Sequence, residues 1–402
     1  MVNRPLDPIS IRIAAVQERF QRLTERRLYY YNLPVSELRG GSRVVVGGRE
    51  MGMYASYSYL GLLGHPRIAA AAKKAVDQFG TGTHGVRLLA GTLTLHRELE
   101  AAIAAFKETE DAVTFSSGYV TNLAIISTLL GRRDVVIGDK LNHASIVDGC
   151  LQSGAKFWRF RHNDTRDLER LLRRAPRSAS KLVAVDAVFS MDGDIIDLPA
   201  VVSLCRRYGA WLMVDEAHSL GVLGQHGHGI EEHFGLRDAI DLKMGTFSKA
   251  IPSVGGYVAG RKDLISYLRH SARPYIFSAA LPPPQAAAAK EALALITEEP
   301  ERVERLHQNS GLFLSGLKSE GFDTMFSQTA IVPILCGEDD RAFEMTRACH
   351  ELGMFVLPVV SPAVPEGSAR LRATVTAAHE PAEIERAVEL LARAGRSVGV
   401  LR

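Results

Sequence analysis

An α/β fold built on a mostly parallel sheet is predicted for this 402-residue chain by three features. Seven short apolar, β-branched runs fall between about residues 110 and 260. Helix-patterned stretches separate them, and strands alternating with helices predict a parallel sheet. The runs are also continuously apolar rather than alternating, as strands covered on both faces are.

In order, the runs are Ala112–Phe115, Asp134–Ile137, Phe157–Phe160, Leu182–Val188, Trp211–Val214, Leu242–Met244 and Tyr257–Ala259. Ahead of them, residues 11–31 predict a basic amphipathic helix closing on Tyr29, Tyr30 and Tyr31, placed to pack on the body of the protein or on a partner subunit. Behind them the texture changes. Pro282–Pro284 precede an Ala-rich helix, Gln285–Thr297, and then the charged stretch Glu298–Arg305. The expected division is an N-terminal helical arm (1–50), a large domain (51–284) and a smaller C-terminal α+β domain (285–402).

Composition narrows the function. Hydrophobic residues make up 46% and charged residues 23%, which fits a globular chain and excludes a disordered or fibrous one. A net charge of +3 gives no support for nucleic-acid binding. Cys150, Cys205, Cys336 and Cys349 form no CxxC pair and no zinc spacing, so no metal is expected. No apolar run reaches membrane-spanning length, and MVNRPLDPIS has no signal-peptide core. The expectation is a soluble, cytoplasmic protein, with peripheral membrane contact left open.

Ligands of open α/β sheets sit at the carboxyl ends of the strands. The residues there are Ser116, Ser117, Gly118 and Tyr119; Asp139, Asn142 and His143; Ser190 to Gly193; Asp215, Glu216 and His218; and Thr246, Ser248 and Lys249. A Ser-Ser-Gly turn opening a helix presents free N–H groups to an anion, and the hydroxyls of Thr246 and Ser248 suit a phosphate. Asp215 ends a buried strand and needs a cation there, which a protonated ring nitrogen supplies. Lys249, in a loop of small residues, is placed to act as a neutral nucleophile toward an aldehyde. Phosphate, ring nitrogen and aldehyde together describe pyridoxal 5′-phosphate. Gly80–Gly85 matches GxGxxG by letters, but a helical pattern precedes it and none opens at it, so it is not a dinucleotide fingerprint.

Six stretches resemble the α-oxoamine synthases, fold-type I pyridoxal-phosphate transferases. They are GTHGVRLLAGTLTLHRELE (82–100), SSGYVTNL (116–123), NHASIVDG (142–149), FSMDGD (189–194), VDEAHSLGVLG (214–224) and GTFSKAIPSVGG (245–256). RLRATVTAAH (370–379) extends the likeness into the small domain. Within the family, DGCLQSGAKFWRFRHN (148–163), ARPYIFSAALPP (272–283), SPAVP (361–365), AGRSVGV (394–400) and Tyr57 resemble the bacterial serine palmitoyltransferases.

The resemblance implies catalytic roles for Lys249, His143, Asp215 and His218. It has Lys249 bond the cofactor aldehyde and then move the Cα proton, Asp215 pair with the ring nitrogen, and His143 stack on the ring. His218 and Ser190 would bond the ring oxygen. Ser117, Gly118, Tyr119, Thr246 and Ser248 would hold the phosphate, completed by Ser278 of the second subunit of a homodimer. Tyr57 and Arg372 would meet the substrate carboxylate. Arg370 and Arg372 share one strand face; the family motif selects Arg372, leaving Arg370 as a structural ion-pair partner. Three positions depart from the bacterial serine enzymes: Val359-Val360-Ser361 lacks their second arginine, Ser58 replaces Asn, and Pro252 interrupts the loop after Lys249. The expected reaction is a decarboxylating condensation of L-serine with palmitoyl-CoA to 3-oxosphinganine, the first step of sphingolipid synthesis. The alternative is a related synthase using alanine or glycine, or an acyl carrier protein donor.

Overall fold

The computed structural model describes residues 7–402. Its first helix, Pro8–Glu25, is capped by the Asp7 carboxylate, which accepts from the N–H groups of Ile9 and Ser10. The helix stops earlier than its pattern suggests. Arg27 takes φ +56° and breaks the repeat, so Tyr29–Tyr31 follow in non-helical chain. There Tyr30 meets His350 and Tyr31 meets Phe343, with ring centroids 4.8 and 5.9 Å apart. Only Leu23 of the helix itself is buried.

Three strands come next: β1 (Val35–Arg39), β2 (Arg43–Val46) and β3 (Arg49–Met53). The large sheet comprises β4 (Asp111–Phe115), β5 (Val135–Asp139), β6 (Lys156–Phe160), β7 (Lys181–Asp186), β8 (Trp211–Asp215), β9 (Leu242–Ser248) and β10 (Pro252–Gly260). The last four strands are β11 (Ile331–Gly337), β12 (Met354–Phe355), β13 (Leu357–Val359) and β14 (Ala369–Thr374).

The large sheet has the order β4-β10-β9-β8-β7-β5-β6. The pairings from β9 through β6 are parallel, and β10 runs antiparallel to both neighbours. The reason for the continuous apolar runs is visible in the packing. Val135 and Ile137 enter one core while Val136 enters the other. Val183 and Val185 likewise oppose Leu182 and Ala184, and Leu212 and Val214 oppose Met213. Each such valine, leucine, isoleucine or methionine contributes about 1.5–3 kcal/mol on burial.

Two sequence expectations change here. Pro252 does not interrupt a loop: it is the first residue of β10, the strand position a proline tolerates. The β9–β10 hairpin therefore holds Lys249 in its turn. The run ending at Val188 stops as a strand at Asp186, and Val188 makes only an isolated bridge to Ile195.

Two smaller sheets complete the chain, β11-β14-β13 and β1-β2-β3-β12. Parallel pairing of β3 with β12 ties the N-terminal strands to the C-terminal part. The Ala-rich helix, Pro283–Glu298, packs on the helices Pro66–Phe79 and Thr94–Phe106 and on β10, all flanking the large sheet. The helix Glu301–Ser319 packs instead on Pro381–Ser397. We propose that the division between the two parts falls between those helices. All four cysteines are buried and unbonded. Among the described residues no helix is long and apolar enough to cross a membrane.

Candidate active site

Asp215 and Asp186 end adjacent strands in direct register. Both are buried, and they lie at the carboxyl edge of the sheet. One Asp215 oxygen accepts from Asn122 Nδ2 at 2.7 Å and the other from the Ala217 N–H at 2.9 Å. Asn122 also donates to Ser145 Oγ at 2.8 Å, while its own Oδ1 is buried without a partner. Among the described residues no ion pair includes Asp215. A buried carboxylate lacking a cation is costly, so the site is built for a cation brought by a ligand.

The Lys249 amine lies 2.8 Å from His218 Nε2, and His218 Nδ1 lies 2.6 Å from Tyr59 Oη. Tyr59 is fully buried, and burial pushes its phenol up to about 12, so it keeps its proton. Burial, with Lys249 and Arg372 nearby, holds His218 well below the usual imidazole value. A neutral His218 that accepts from Tyr59 carries its proton on Nε2 and donates it to an uncharged Lys249. Burial lowers Lys249 to about 8, against the opposing pull of Asp215 and Asp186. An amine with that value has a far larger neutral fraction near physiological pH than an ordinary lysine and is mostly neutral above about 8. In the cofactor-free protein, the rate of pyridoxal-phosphate association should therefore rise with pH through about 8 and then level off. A stopped-flow pH profile checks this; a rise continuing to the ordinary lysine range would contradict it.

The helix Gly118–Leu129 begins at Ser117, whose hydroxyl accepts from the Val120 N–H at 3.2 Å. The N–H groups at the very start of a helix lack helical partners and face any anion placed there. A Cβ on Gly118 would lie 3.0 Å from both Cβ and Oγ1 of Thr246, so a side chain there would fill the cradle. Thr246 Oγ1 is 2.9 Å from Ser248 Oγ and donates to the Gly255 carbonyl at 3.0 Å. The Tyr119 hydroxyl donates to Asp148, outside this cradle. Ser278 lies beside the bridge between Val86 and Ala279, partly exposed.

The two arginines of β14 are treated differently. Arg370 pairs with Asp192 at 2.8 Å. Arg372 is also buried, yet it meets no carboxylate: Nε donates to the Ser190 carbonyl at 2.6 Å and Nη1 to Thr374 Oγ1 at 3.2 Å. Its Nη2 is buried and unpartnered. Its guanidinium lies over the Tyr57 ring at 4.6 Å, and Lys249 Nζ lies 5.9 Å from the same ring. Arg372, Tyr57, Lys249 and His218 thus form one cluster. His143 lies at the rim, its N–H donating to Asp186 at 2.8 Å and its Nδ1 2.7 Å from Ser145 Oγ. Burial of its ring lowers His143 from its ordinary value. Burial, then the neighbouring Asp215, raises Asp186 well above the usual carboxylate range.

Sequence reasoning missed Asn122, Tyr59 and Asp186. Asn122 carried a signal, as the amide in an otherwise apolar helix face, Val120 to Ile126. Tyr59 and Asp186 carried none, because their partners lie far along the chain. The unpartnered Asn122 Oδ1, the cation-free Asp215, the lowered Lys249 and the anion cradle fit pyridoxal 5′-phosphate in one orientation.

Residues 54–391 match the family Aminotransferase class I and II, and the chain belongs to it. Within it, the chain is an α-oxoamine synthase with the fold-type I architecture and pyridoxal 5′-phosphate as its cofactor. It is 47% identical to an 8-amino-7-oxononanoate synthase of Geobacter sulfurreducens over 95% of this chain and 98% of that one. It is 41% identical to the synthase of that name from Thermoanaerobacter pseudethanolicus, over 96% and 98%. Among solved structures it is similar to a serine palmitoyltransferase of S. paucimobilis with bound PLP and myriocin, at TM-score 0.95 and 37% identity over 98% and 100% of the two chains.

These findings overturn the expectation of L-serine, a palmitoyl donor and sphingolipid synthesis. The two 8-amino-7-oxononanoate synthases above share more of the sequence, 41–47% against 37%. The physical reason lies in what the quoted motifs touch. The family motifs build the anion cradle and the cluster of Asp215, His218, Lys249 and Arg372, whereas, Tyr57 apart, no residue of that cluster lies in the stretches likened to the serine enzymes. Tyr57 lies under the Arg372 guanidinium, a contact that does not distinguish one amino acid from another.

Proposed function

We propose that this enzyme condenses L-alanine with a seven-carbon dicarboxylic acyl thioester, releasing carbon dioxide, the free thiol carrier and 8-amino-7-oxononanoate. The observation that carries the reading is the 41–47% identity to synthases of that name over nearly the whole chain. The name itself sets the substrates. The amine-bearing carbon and the terminal methyl are the Cα and Cβ of alanine, and the keto carbon and everything beyond it come from the acyl group. Alanine's carboxylate is lost.

Pyridoxal phosphate, when bound, supplies the aldehyde that links the amino acid and a ring that accepts the electron pair left at Cα. The chain's residues do the rest. Lys249, neutral above its lowered value, would bond the aldehyde and, once freed by the amino acid, hold the Cα proton. Asp215 keeps the ring nitrogen protonated. Thr246, Ser248 and the helix start at Ser117, Gly118 and Tyr119 hold the phosphate, with Ser278 from the second subunit of a homodimer. His143 covers the ring face, and His218 and Ser190 meet the ring oxygen. Arg372 fixes the substrate carboxylate through its free Nη2, so the bond to be broken stands perpendicular to the ring. Tyr57 closes the carboxylate pocket.

The test compares initial rates with L-alanine, glycine and L-serine against one seven-carbon thioester. Alanine should exceed the others in kcat/KM. A preference for serine or glycine would reject the assignment while leaving the family untouched.

A further inference from the structure

His162 stands outside the machinery described above, yet it joins two buried carboxylates. Its Nδ1 lies 3.0 Å from Asp139 Oδ1 and its Nε2 lies 2.9 Å from Asp194 Oδ2. Asp139 is wholly buried and Asp194 nearly so. An imidazole that donates to a carboxylate from both nitrogens must carry both protons. Asp194 Oδ1 has no partner of its own, so this contact is its side chain's hydrogen bond.

Asp139 ends β5, and His162 and Asp194 lie in the connections that follow β6 and β7. Asp139 also accepts from the Leu141 and Asn163 N–H groups, both at 2.8 Å, which shapes the turn leading to Asn142 and His143. Asn142 donates to the Ala184 carbonyl at 2.7 Å, tying that turn to β7. On the other side, the His162 ring meets Phe189 edge-on, centroids 4.4 Å apart. Phe189 precedes Ser190, whose carbonyl receives the Arg372 Nε–H at 2.6 Å. The turn is closed by Phe189 N–H donating to the Asp194 carbonyl at 3.1 Å.

We infer that a doubly protonated His162 is a positioning residue: bridging Asp139 and Asp194, it holds the Phe189–Asp194 turn so that Ser190 aims Arg372 at the substrate carboxylate. The inference rests on the proposed role of Arg372. Burial disfavours the charge, but the hydrogen bonds His162 donates to Asp139 and Asp194 outweigh it and hold His162 at about 10. The charged groups facing the ring are those two carboxylates; across the adjoining cleft lie Asp192 and Arg370, already paired to each other. The bridge therefore stays intact through the physiological range.

The sign follows for stability. The folded value lies above the ordinary 6.5, so the contribution is fully present below 6.5 and is lost as pH rises through about 10.

The experiment uses His162→Gln, Asp194→Asn and, as a control for the underlying reading, Arg372→Lys. Amino-acid affinity is read from the cofactor's absorbance during titration with L-alanine, glycine and L-serine, at several pH values. His162→Gln should weaken binding about tenfold through loss of aim, while cofactor binding and kcat stay near wild type. Asp194→Asn leaves the ring one carboxylate, so the ratio of its affinity to that of the wild type should become pH-dependent near neutrality. The urea midpoint of cofactor-free His162→Gln should fall below wild type at pH 7, and the gap should narrow as pH approaches 10. Unchanged affinity in His162→Gln, or a pH-independent ratio of Asp194→Asn to wild-type affinity, would overturn the inference. If His162→Gln does not fold, the Asp194→Asn profile decides alone. Unchanged affinity in Arg372→Lys would instead reject the carboxylate role on which the inference stands.

Discussion

Replacing Lys249 with Ala should lower turnover by at least about 10⁴-fold, because one side chain both bonds the aldehyde and moves the Cα proton. The geometry says why no neighbour substitutes. His218 lies 2.8 Å from the amine, but burial keeps it neutral and its other nitrogen is engaged by Tyr59. Arg372 is cationic at every accessible pH and cannot act as a base. The noncovalent contacts remain in the variant: the helix start at Ser117, Thr246, Ser248 and Asp215 are untouched. Cofactor should still bind, but borohydride should no longer attach it to the protein. Mass spectrometry of the reduced wild type should place the attachment at Lys249, and a modified peptide elsewhere would remove the basis of the site.

Replacing Arg372 with Leu should act on binding. The guanidinium is buried, stacked on Tyr57 and free at Nη2, so its loss removes charge-assisted hydrogen bonds to the amino-acid carboxylate. Each is worth about 1.5–3 kcal/mol, which corresponds to roughly a 10- to 150-fold rise in KM. The Ser190 carbonyl also loses its donor, so a modest stability loss accompanies it. Arg370→Leu supplies the contrast. Its guanidinium is spent on Asp192 and the Met191 carbonyl, so removal should lower the melting temperature with KM little changed. Steady-state kinetics with varied amino acid, beside a thermal melt, separates the two. Equal KM effects from both arginines would refute the division of labour.

The large sheet was legible because its chemistry is local. A strand that feeds Val136 to one core and Val135 and Ile137 to the other has to read as an unbroken apolar run. The reversal of β10 was not legible: an antiparallel strand buried on both faces reads like a parallel one, and only the short Lys249–Ile251 connection hints at a hairpin. Pro252 misled for the same reason, since a strand's first position and a loop are equally good places for proline. Lys249, Asp215, Thr246 and Ser248 could be found because they follow strands, and strand ends converge. Tyr59, Asp186 and His162 could not, since each matters through a partner distant in sequence. Amino-acid choice was misjudged at Tyr57, where a ring that lies under Arg372 was taken to mark a serine enzyme.

The central claim is most directly tested by the product. Enzyme loaded with pyridoxal phosphate is incubated with carboxyl-labelled L-alanine and the seven-carbon thioester, and the product mass and released label are measured. The account predicts a nine-carbon amino keto acid without label and one labelled carbon dioxide per product. Label retained in the product, or a keto acid formed by amino-group transfer with no new carbon–carbon bond, would contradict it.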